Sequence, residues 1–521
     1  MGADLRLSRR RLLLAAAGLA AAGCAEDPTA APPQTPPAVV PPAPPSPLPV
    51  SLTPNASREF RAVAGDVADA LGEARIPGAA LGILSGNREE YAAFGVASLS
   101  SLEPVRSDTL FQVGSLTKSY TATAVWRLID QGLVDLDGPV RRYVRGLRLR
   151  DHRTAETVTV ANLLDHTAGW YGDDIVDTGD DAGALGRYVE NRMPELPQLF
   201  GCGEFFSYNN SAFQLLGLLT EVSLGTDYND ALQRLVLGPL GLSDTLLDHG
   251  AVRRRPYADG HIAMPVNGRD TVAVQTPLWL PRCADPAGGI WSTSRDVLRY
   301  ARLHLGIQPT GRTPFLRPAS LRAMQEPAVE VPGLDLAMGR SWFIQDVDGL
   351  RAITHDGDTL GQHTLFMAVP RRRFAFVLLL NGQPGAAAGL AALDAALSRY
   401  RGLEGLAGRV GVMRALAAPP EAPAATLTSG QLDDYPGRYA DPGLSITVTR
   451  AGGGLEAHTE LTPPPGSWQP AIAAPPAEGP AAIAFLAPDS AVAEGSRISF
   501  VRNGDGDVDW VAQALRLRPR A

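Results

Sequence analysis

The 521-residue sequence predicts an α/β protein: an antiparallel sheet flanked by helices, an all-helical lobe beside it, and a small C-terminal all-β domain. Three observations carry that prediction. Apolar residues recur at helical spacing near residue 60 and again near residue 390, and strand-like runs adjoin both stretches. Mostly helical patterns fill the long interval between them. Beyond a second Pro/Ala-rich stretch the pattern changes to short strands separated by Gly-rich turns. A sheet built from both ends of one unit, covered by its terminal helices, accounts for the order, and the cleft between sheet and lobe is where a site is expected.

In chain order, residues 1–24 read as an export leader. Arg6, Arg9, Arg10 and Arg11 precede an apolar run from Leu12 to Ala22, too short to span a membrane and suited to a signal h-region. Ser8-Arg9-Arg10-Arg11-Leu12-Leu13 resembles a twin-arginine signal, and Ala21-Ala22-Gly23-Cys24 resembles a lipobox in which Cys24 would be lipidated. Ala21 stands where a lipobox usually has Leu, so ordinary cleavage nearby is the alternative. The expected location is the periplasm or cell envelope. Residues 25–56 are a linker, with eleven prolines between positions 28 and 49. At about 3.1 Å per residue in polyproline geometry that tract would reach on the order of 70 Å.

Residues 57–404 form the main predicted domain. Phe60, Val63, Val67 and Leu71 share one face of a helix over 57–74. Strands follow at Ala79–Leu84 and Glu90–Val96, with Ser85-Gly86-Asn87 as a hairpin signal. Helical patterns then cover Ser119–Gln131, Val160–Asp165, Ser211–Val222 and Asn229–Leu237. Strand character returns at Arg340–Val347, Leu350–Thr354, Thr364–Val369 and Phe374–Leu380, and an Ala/Leu helix over Ala386–Tyr400 closes the unit. A linker over 405–429 leads to a small β-barrel or sandwich over 430–521, with strands such as Ser445–Thr449 and Arg497–Val501.

The net charge of −8 argues against a nucleic-acid binder. The basic residues hold a sharper clue: of 47 Lys+Arg, only Lys118 is lysine. Arginine cannot give up a proton in a protein, whereas a lysine can be tuned to do so. Codon bias is the competing explanation for the composition, but it does not place the lone lysine three residues after Ser115 in Gly114-Ser115-Leu116-Thr117-Lys118. On a helix opening near Ser115 the two side chains share a face. A serine hydroxyl needs a neighbour to take its proton, and a lysine can do so if its pKa falls from about 10.4 toward 7. Burial and nearby positive potential would supply that shift.

Two more segments complete the set: Tyr208-Asn209-Asn210 before a helical run, and His355-Asp356-Gly357 after a short strand. With Ile76-Pro77-Gly78, Leu163–Gly169, Gly238–Leu242 and Ala287–Ser292, all in order across residues 57–400, the chain resembles the serine β-lactamase and penicillin-binding-protein-like hydrolases. The nearest branches are class C β-lactamases, D-alanyl-D-alanine carboxypeptidases and related esterases. The resemblance implies a β-lactamase-like fold and an acyl-enzyme on Ser115, with Lys118 as proton acceptor or electrostatic partner. It further implies Tyr208 as the proton shuttle and Asn210 as an amide facing the lysine or a substrate carbonyl. The oxyanion donors would be the backbone N–H groups of Ser115 and Asp358, with His355, Gly357 and Asp358 forming the third motif. Residues 430–521, from Leu432-Asp433-Asp434-Tyr435 onward, resemble the lipocalin-like domain often appended to such hydrolases.

The third motif departs from the family, since His355 replaces the Lys of K-T-G. A fixed ammonium to grip a β-lactam carboxylate is therefore missing unless an arginine replaces it. The expected substrates are small esters, amides or D-amino-acid peptides. The alternatives are a β-lactamase or D,D-carboxypeptidase of cell-wall chemistry, or a non-catalytic envelope binding protein. No cofactor is implied. His355, Asp356, Asp358 and His363 fit no zinc spacing, and Asn503-Gly504-Asp505-Gly506-Asp507 departs from a calcium loop and reads as a polar turn. His166 reads as a loop-fixing residue. Cys202 and Cys283, 81 residues apart, are compatible with a disulfide or with free thiols. Partners are confined to a small-molecule or peptide substrate and, through Cys24, a membrane anchor.

Overall fold

The computed structural model describes residues 50–266, 269–274, 279–307, 314–359, 361–383, 385–417, 425–462, 467, 479–493 and 496–521. The leader with Cys24, the proline-rich tract to residue 49 and residues 418–424 of the second linker lie outside the described residues. Among those described, no helix is long and apolar enough to cross a membrane.

A nine-stranded antiparallel sheet organises the main domain. Its strands are β1 (Val50–Leu52), β2 (Gly78–Ser85), β3 (Arg88–Gly95), β4 (Val329–Glu330), β5 (Ala337–Met338), β6 (Phe343–Val347), β7 (Leu350–Thr359), β8 (Gln362–Val369) and β9 (Phe374–Leu380). They lie in the order β1-β3-β2-β9-β8-β7-β6-β5-β4, so strands from both ends of the domain meet where β2 pairs with β9. The run Phe374-Ala375-Phe376-Val377-Leu378-Leu379-Leu380 is buried throughout because helices cover both faces of this central strand. Helices α1 (Arg58–Ala74) and α5 (Gly385–Arg399) pack on one face, while α4 (Ser294–His304) and the helical lobe pack on the other. The lobe contains α2 (Thr117–Asp130) and α3 (Asn210–Leu224).

One strand is longer than its sequence pattern suggests. β7 continues through the third motif to Thr359, because its ladder with β8 runs to the pair Thr359↔Gln362. The motif therefore lies in the strand and not after it. The segment Arg340–Val347 is extended only from Phe343.

The C-terminal region has its own core of Tyr435, Tyr439, Ile446, Val448, Phe485, Phe500 and Val511. Two sheets enclose it. One comprises β10 (Gly437–Ala440), β11 (Leu444–Ala451), β12 (Gly454–Leu461) and β13 (Ala481–Ala482); the other comprises β14 (Ala484–Ala487), β15 (Ser490–Ala493), β16 (Ser496–Arg502), β17 (Val508–Gln513) and β18 (Arg516–Pro519). A bridge between Tyr439 and Arg520 links the two sheets. The Asn503 side chain accepts from the N–H groups of Asp505 and Asp507, which makes that segment a polar turn.

The β17–β18 hairpin reaches into the main domain. Its two turn residues, Ala514 and Leu515, have φ of 49° and 66°, left-handed values that cost a side-chain-bearing residue about 1–2 kcal/mol each. Leu515 is buried in the core beneath the large sheet, and its carbonyl accepts a 2.9 Å hydrogen bond from the Tyr208 N–H. The Leu517 N–H donates to Ser207 Oγ at 3.1 Å. These contacts hold the hairpin against the segment that precedes α3.

Candidate active site

Gly114 has φ 53° and begins a 3₁₀ turn, Gly114–Leu116, that leads into α2. This turn, and not the α-helix itself, carries Ser115. Lys118 lies in the first turn of α2 and is fully buried, with its Nζ 3.1 Å from Ser115 Oγ. The same Nζ donates to the Ala287 carbonyl at 2.6 Å. The neighbouring Pro286 carbonyl accepts from Thr121 Oγ1 at 2.6 Å, and Thr121 meets the Tyr228 hydroxyl at 2.7 Å, so the loop that receives the lysine is fixed from below. Burial holds the Lys118 ammonium well below its ordinary pKa; the Arg516 guanidinium adds to the depression and Asp173 opposes it. An amine in this state can accept the Ser115 proton.

The second motif converges on the same point. Lys118 Nζ lies 4.9 Å from the centroid of the Tyr208 ring. The Tyr208 hydroxyl is buried, which raises its pKa, and Ser115 moderates that rise. No hydrogen bond of good geometry holds this hydroxyl among the described residues. His166 stacks on Tyr208 with centroids 4.4 Å apart, and its Nδ1 accepts the Asn209 N–H at 2.9 Å, the loop-fixing arrangement. Asn210 Nδ2 donates to Asp173 Oδ1 at 2.8 Å. Its partner is thus a carboxylate and not the lysine.

Asp173 and Arg516 are the two site residues that sequence reasoning missed. Arg516 Nε and Nη2 bond the Asp173 carboxylate bidentately at 2.6 and 2.7 Å. Asp173 reaches that position because Gly172 passes against Asn209, where a Cβ would come within 2.6 Å of the Asn209 Cα. The guanidinium carbon of Arg516 also lies 4.7 Å from the Tyr208 ring centroid. The missing ammonium of the third motif thus has an arginine at the site, delivered by β18.

The third motif packs backbone to backbone against the first. A Cβ on Gly114 would lie 2.9 Å from the Asp358 nitrogen, and one on Gly357 would lie 3.0 Å from the Ser115 nitrogen and collide with the Val113 carbonyl. Only glycine at both places lets the Ser115 and Asp358 amides come so close. His355 is buried and neutral, its pKa pushed down to about 3 by burial and by Lys118, and its Nδ1 lies 2.7 Å from the Asp356 carbonyl. Asp358 Oδ1 bonds His363 Nδ1 at 2.8 Å. A small cleft is lined by Ser115, Tyr208, Asn210, His355, Asp358 and Arg516, among others.

Cys202 and Cys283 are free thiols, and burial raises each to about 11. Cys283 donates to the Val176 carbonyl at 3.0 Å.

Comparison with known proteins gives four further findings. The family model described as Beta-lactamase matches residues 63–400. The chain is 35% identical over 324 residues to Penicillin-binding protein 4 of Amycolatopsis lactamdurans, covering 60% of this chain and 82% of that one. It is 29% identical to a Beta-lactamase of Lysobacter lactamgenus, where the match spans 44% of this chain and only 56% of that relative. Among solved structures, SurE with D-Leu superposes with a TM-score of 0.67 at 25% identity, covering 89% of this chain and 99% of that one.

Proposed function

Because this chain belongs to the Beta-lactamase family of serine hydrolases, we propose that it cleaves small esters, amides or D-amino-acid peptides through an acyl-enzyme on Ser115. The observation that carries the proposal is the buried, depressed Lys118 amine 3.1 Å from Ser115 Oγ. The amine takes the hydroxyl proton as the oxygen attacks the scissile carbonyl. The tetrahedral oxyanion forms between the N–H groups of Ser115 and Asp358. Tyr208, between Lys118 and Arg516, hands a proton to the leaving group and then draws one from the water that releases the acyl group. An intact proton-transfer set of this kind is what a non-catalytic binding protein would not need.

Arg516 supplies the fixed cation that His355 cannot. Asp173 engages two of its five N–H groups and the Ala514 carbonyl takes another, which leaves two for a substrate carboxylate. The D-Leu complex of SurE supports a substrate of D-amino-acid character. Export to the envelope, with a lipid on Cys24, rests on the leader.

The test is covalent labelling. The protein is incubated with a fluorophosphonate, and peptide mass spectrometry locates the adduct. A single adduct on Ser115, absent from Ser115→Ala, is expected; an adduct that persists in that variant would overturn the mechanism. Turnover of p-nitrophenyl esters, nitrocefin and a D-Ala-D-Ala peptide then ranks the substrate classes.

A further inference from the structure

The acyl-transfer chemistry leaves one buried charge beside the nucleophile unused. Asp356 is 7% exposed and lines the same cleft as Ser115, yet neither of its carboxylate oxygens has a hydrogen-bond partner among the described residues. Three ionisable groups meet at this place. The His363 imidazole, bonded to Asp358 at 2.8 Å, is raised by that carboxylate and balances its charge. The His363 imidazole and the Met413 backbone N–H favour the Asp356 carboxylate and Asp358 opposes it, but no side chain is hydrogen-bonded to it among the described residues. Burial pushes Asp356 up to about 7, so near neutral pH it is divided between the protonated and the charged form, and a cation placed beside it would favour the carboxylate.

A carboxylate held in a nearly dry place without partners is costly unless a cation or a proton completes it. The arrangement offers no metal site, since no three His, Cys, Asp or Glu among the described residues are grouped to hold an ion. Asp356 directly precedes Gly357, whose backbone packs against the Ser115 amide. One residue's length, about 3.8 Å between Cα atoms, separates the two positions.

From this juxtaposition we propose that Asp356 binds a substrate's free ammonium group, the α-amine of an amino-acid ester, amide or short peptide, within one residue of the scissile carbonyl. The inference rests on the acyl-transfer reading above and deepens it. The cleft is then bipolar: Arg516 attracts a carboxylate on the side of Tyr208, and Asp356 attracts an amine on the side of β7. The amine donates into the Asp356 carboxylate, which no side chain of the protein bonds among the described residues, and bound substrate thereby favours its charged form. Discrimination follows, because an N-acylated substrate leaves those oxygens unpaired.

The test compares the full chain and Asp356→Asn on the p-nitrophenyl ester of D-alanine and on its N-acetyl counterpart, at pH 7, below the ordinary α-amine pKa of about 7.7–8. The ratio of the two kcat/KM values is read in each protein, which cancels the intrinsic reactivity of the esters. A fall in the free-amine preference of about tenfold or more in Asp356→Asn, carried by KM, is expected for loss of a charge-assisted hydrogen bond. An unchanged ratio would overturn the proposal. If that variant does not fold, the unaltered protein decides: D-alaninamide should slow fluorophosphonate labelling of Ser115 and N-acetyl-D-alaninamide should not. Equal protection by both, or by neither, overturns the proposal. Failure of Ser115 to label at all would instead strike the acyl-enzyme reading and take this inference with it.

Discussion

The guanidinium of Arg516 lies over the ring of Tyr208, 4.7 Å from its centroid. A residue of the small β-domain therefore faces the same tyrosine that faces Lys118. That relationship makes the site a product of two regions of the chain and gives the first prediction. Replacing Arg516 with Met removes a cation that depresses Lys118 and leaves Asp173, which raises it, without its counter-charge. Both changes raise the lysine's pKa, and a base must be neutral to act. The acid limb of the pH profile of kcat/KM on an uncharged ester should therefore move to higher pH. A limb that stays in place would separate Arg516 from the chemistry of Lys118.

Lys118→Arg keeps a positive charge and removes the capacity to accept a proton. Acylation of Ser115 should fall roughly 10²- to 10⁴-fold, the range typical of losing a general base. Stopped-flow measurement of the p-nitrophenol burst reads this directly, with circular dichroism to check the fold. Acylation at the unaltered rate would return the lone lysine to codon bias.

Gly357→Ala tests the backbone approach of the first and third motifs. The added methyl would meet the Val113 carbonyl and displace β7 from Ser115. Loss of roughly 10²-fold or more in kcat is expected, as for loss of an oxyanion donor. KM for a small ester should change much less.

His304 is buried without hydrogen-bond partners on either ring nitrogen among the described residues, and burial holds its pKa near 3. It is neutral in the folded state, whereas an unfolded imidazole takes a proton near pH 6.5. Its effect on stability is therefore nil above pH 6.5 and destabilising as pH falls from 6.5 toward 3. Asp285, raised to about 8 by burial, acts in the opposite sense as pH falls below 8. The difference in urea midpoint between the protein and His304→Phe isolates the histidine; it should shift in favour of the variant as pH drops from 7 to 4.

Ala514→Gly should raise stability by about 1 kcal/mol, because glycine adopts the left-handed turn without a side-chain penalty. Thermal unfolding followed at the tryptophan band measures it. A decrease would mean that the methyl group makes contacts worth more than the strain.

Much of this organisation is legible in the sequence because it is local. The helix α1 follows from Phe60, Val63, Val67 and Leu71, all buried on one face. The Ser115–Lys118 pair follows from a three-residue spacing. Strand β7 is legible only to Thr354, since its continuation depends on pairing with β8 and on the Gly357 contact with Val113. Asp173 and Arg516 lie 343 residues apart, and neither has a neighbouring signal that marks it. Their pairing follows from tertiary packing of the hairpin, and so does the cation that the third motif lacks.

The order in which the chain is made gives the Asp173–Arg516 contact a temporal meaning. Ser115 and Lys118 leave the ribosome about 400 residues before Arg516. Until the hairpin arrives, the lysine lacks one of the two influences that strip its proton, and Tyr208 lacks the backbone anchor at Leu515. Burial is the larger of those two influences, and the hairpin supplies the smaller. The small β-domain therefore lends the main domain's site a charge that the earlier-made part of the chain does not carry.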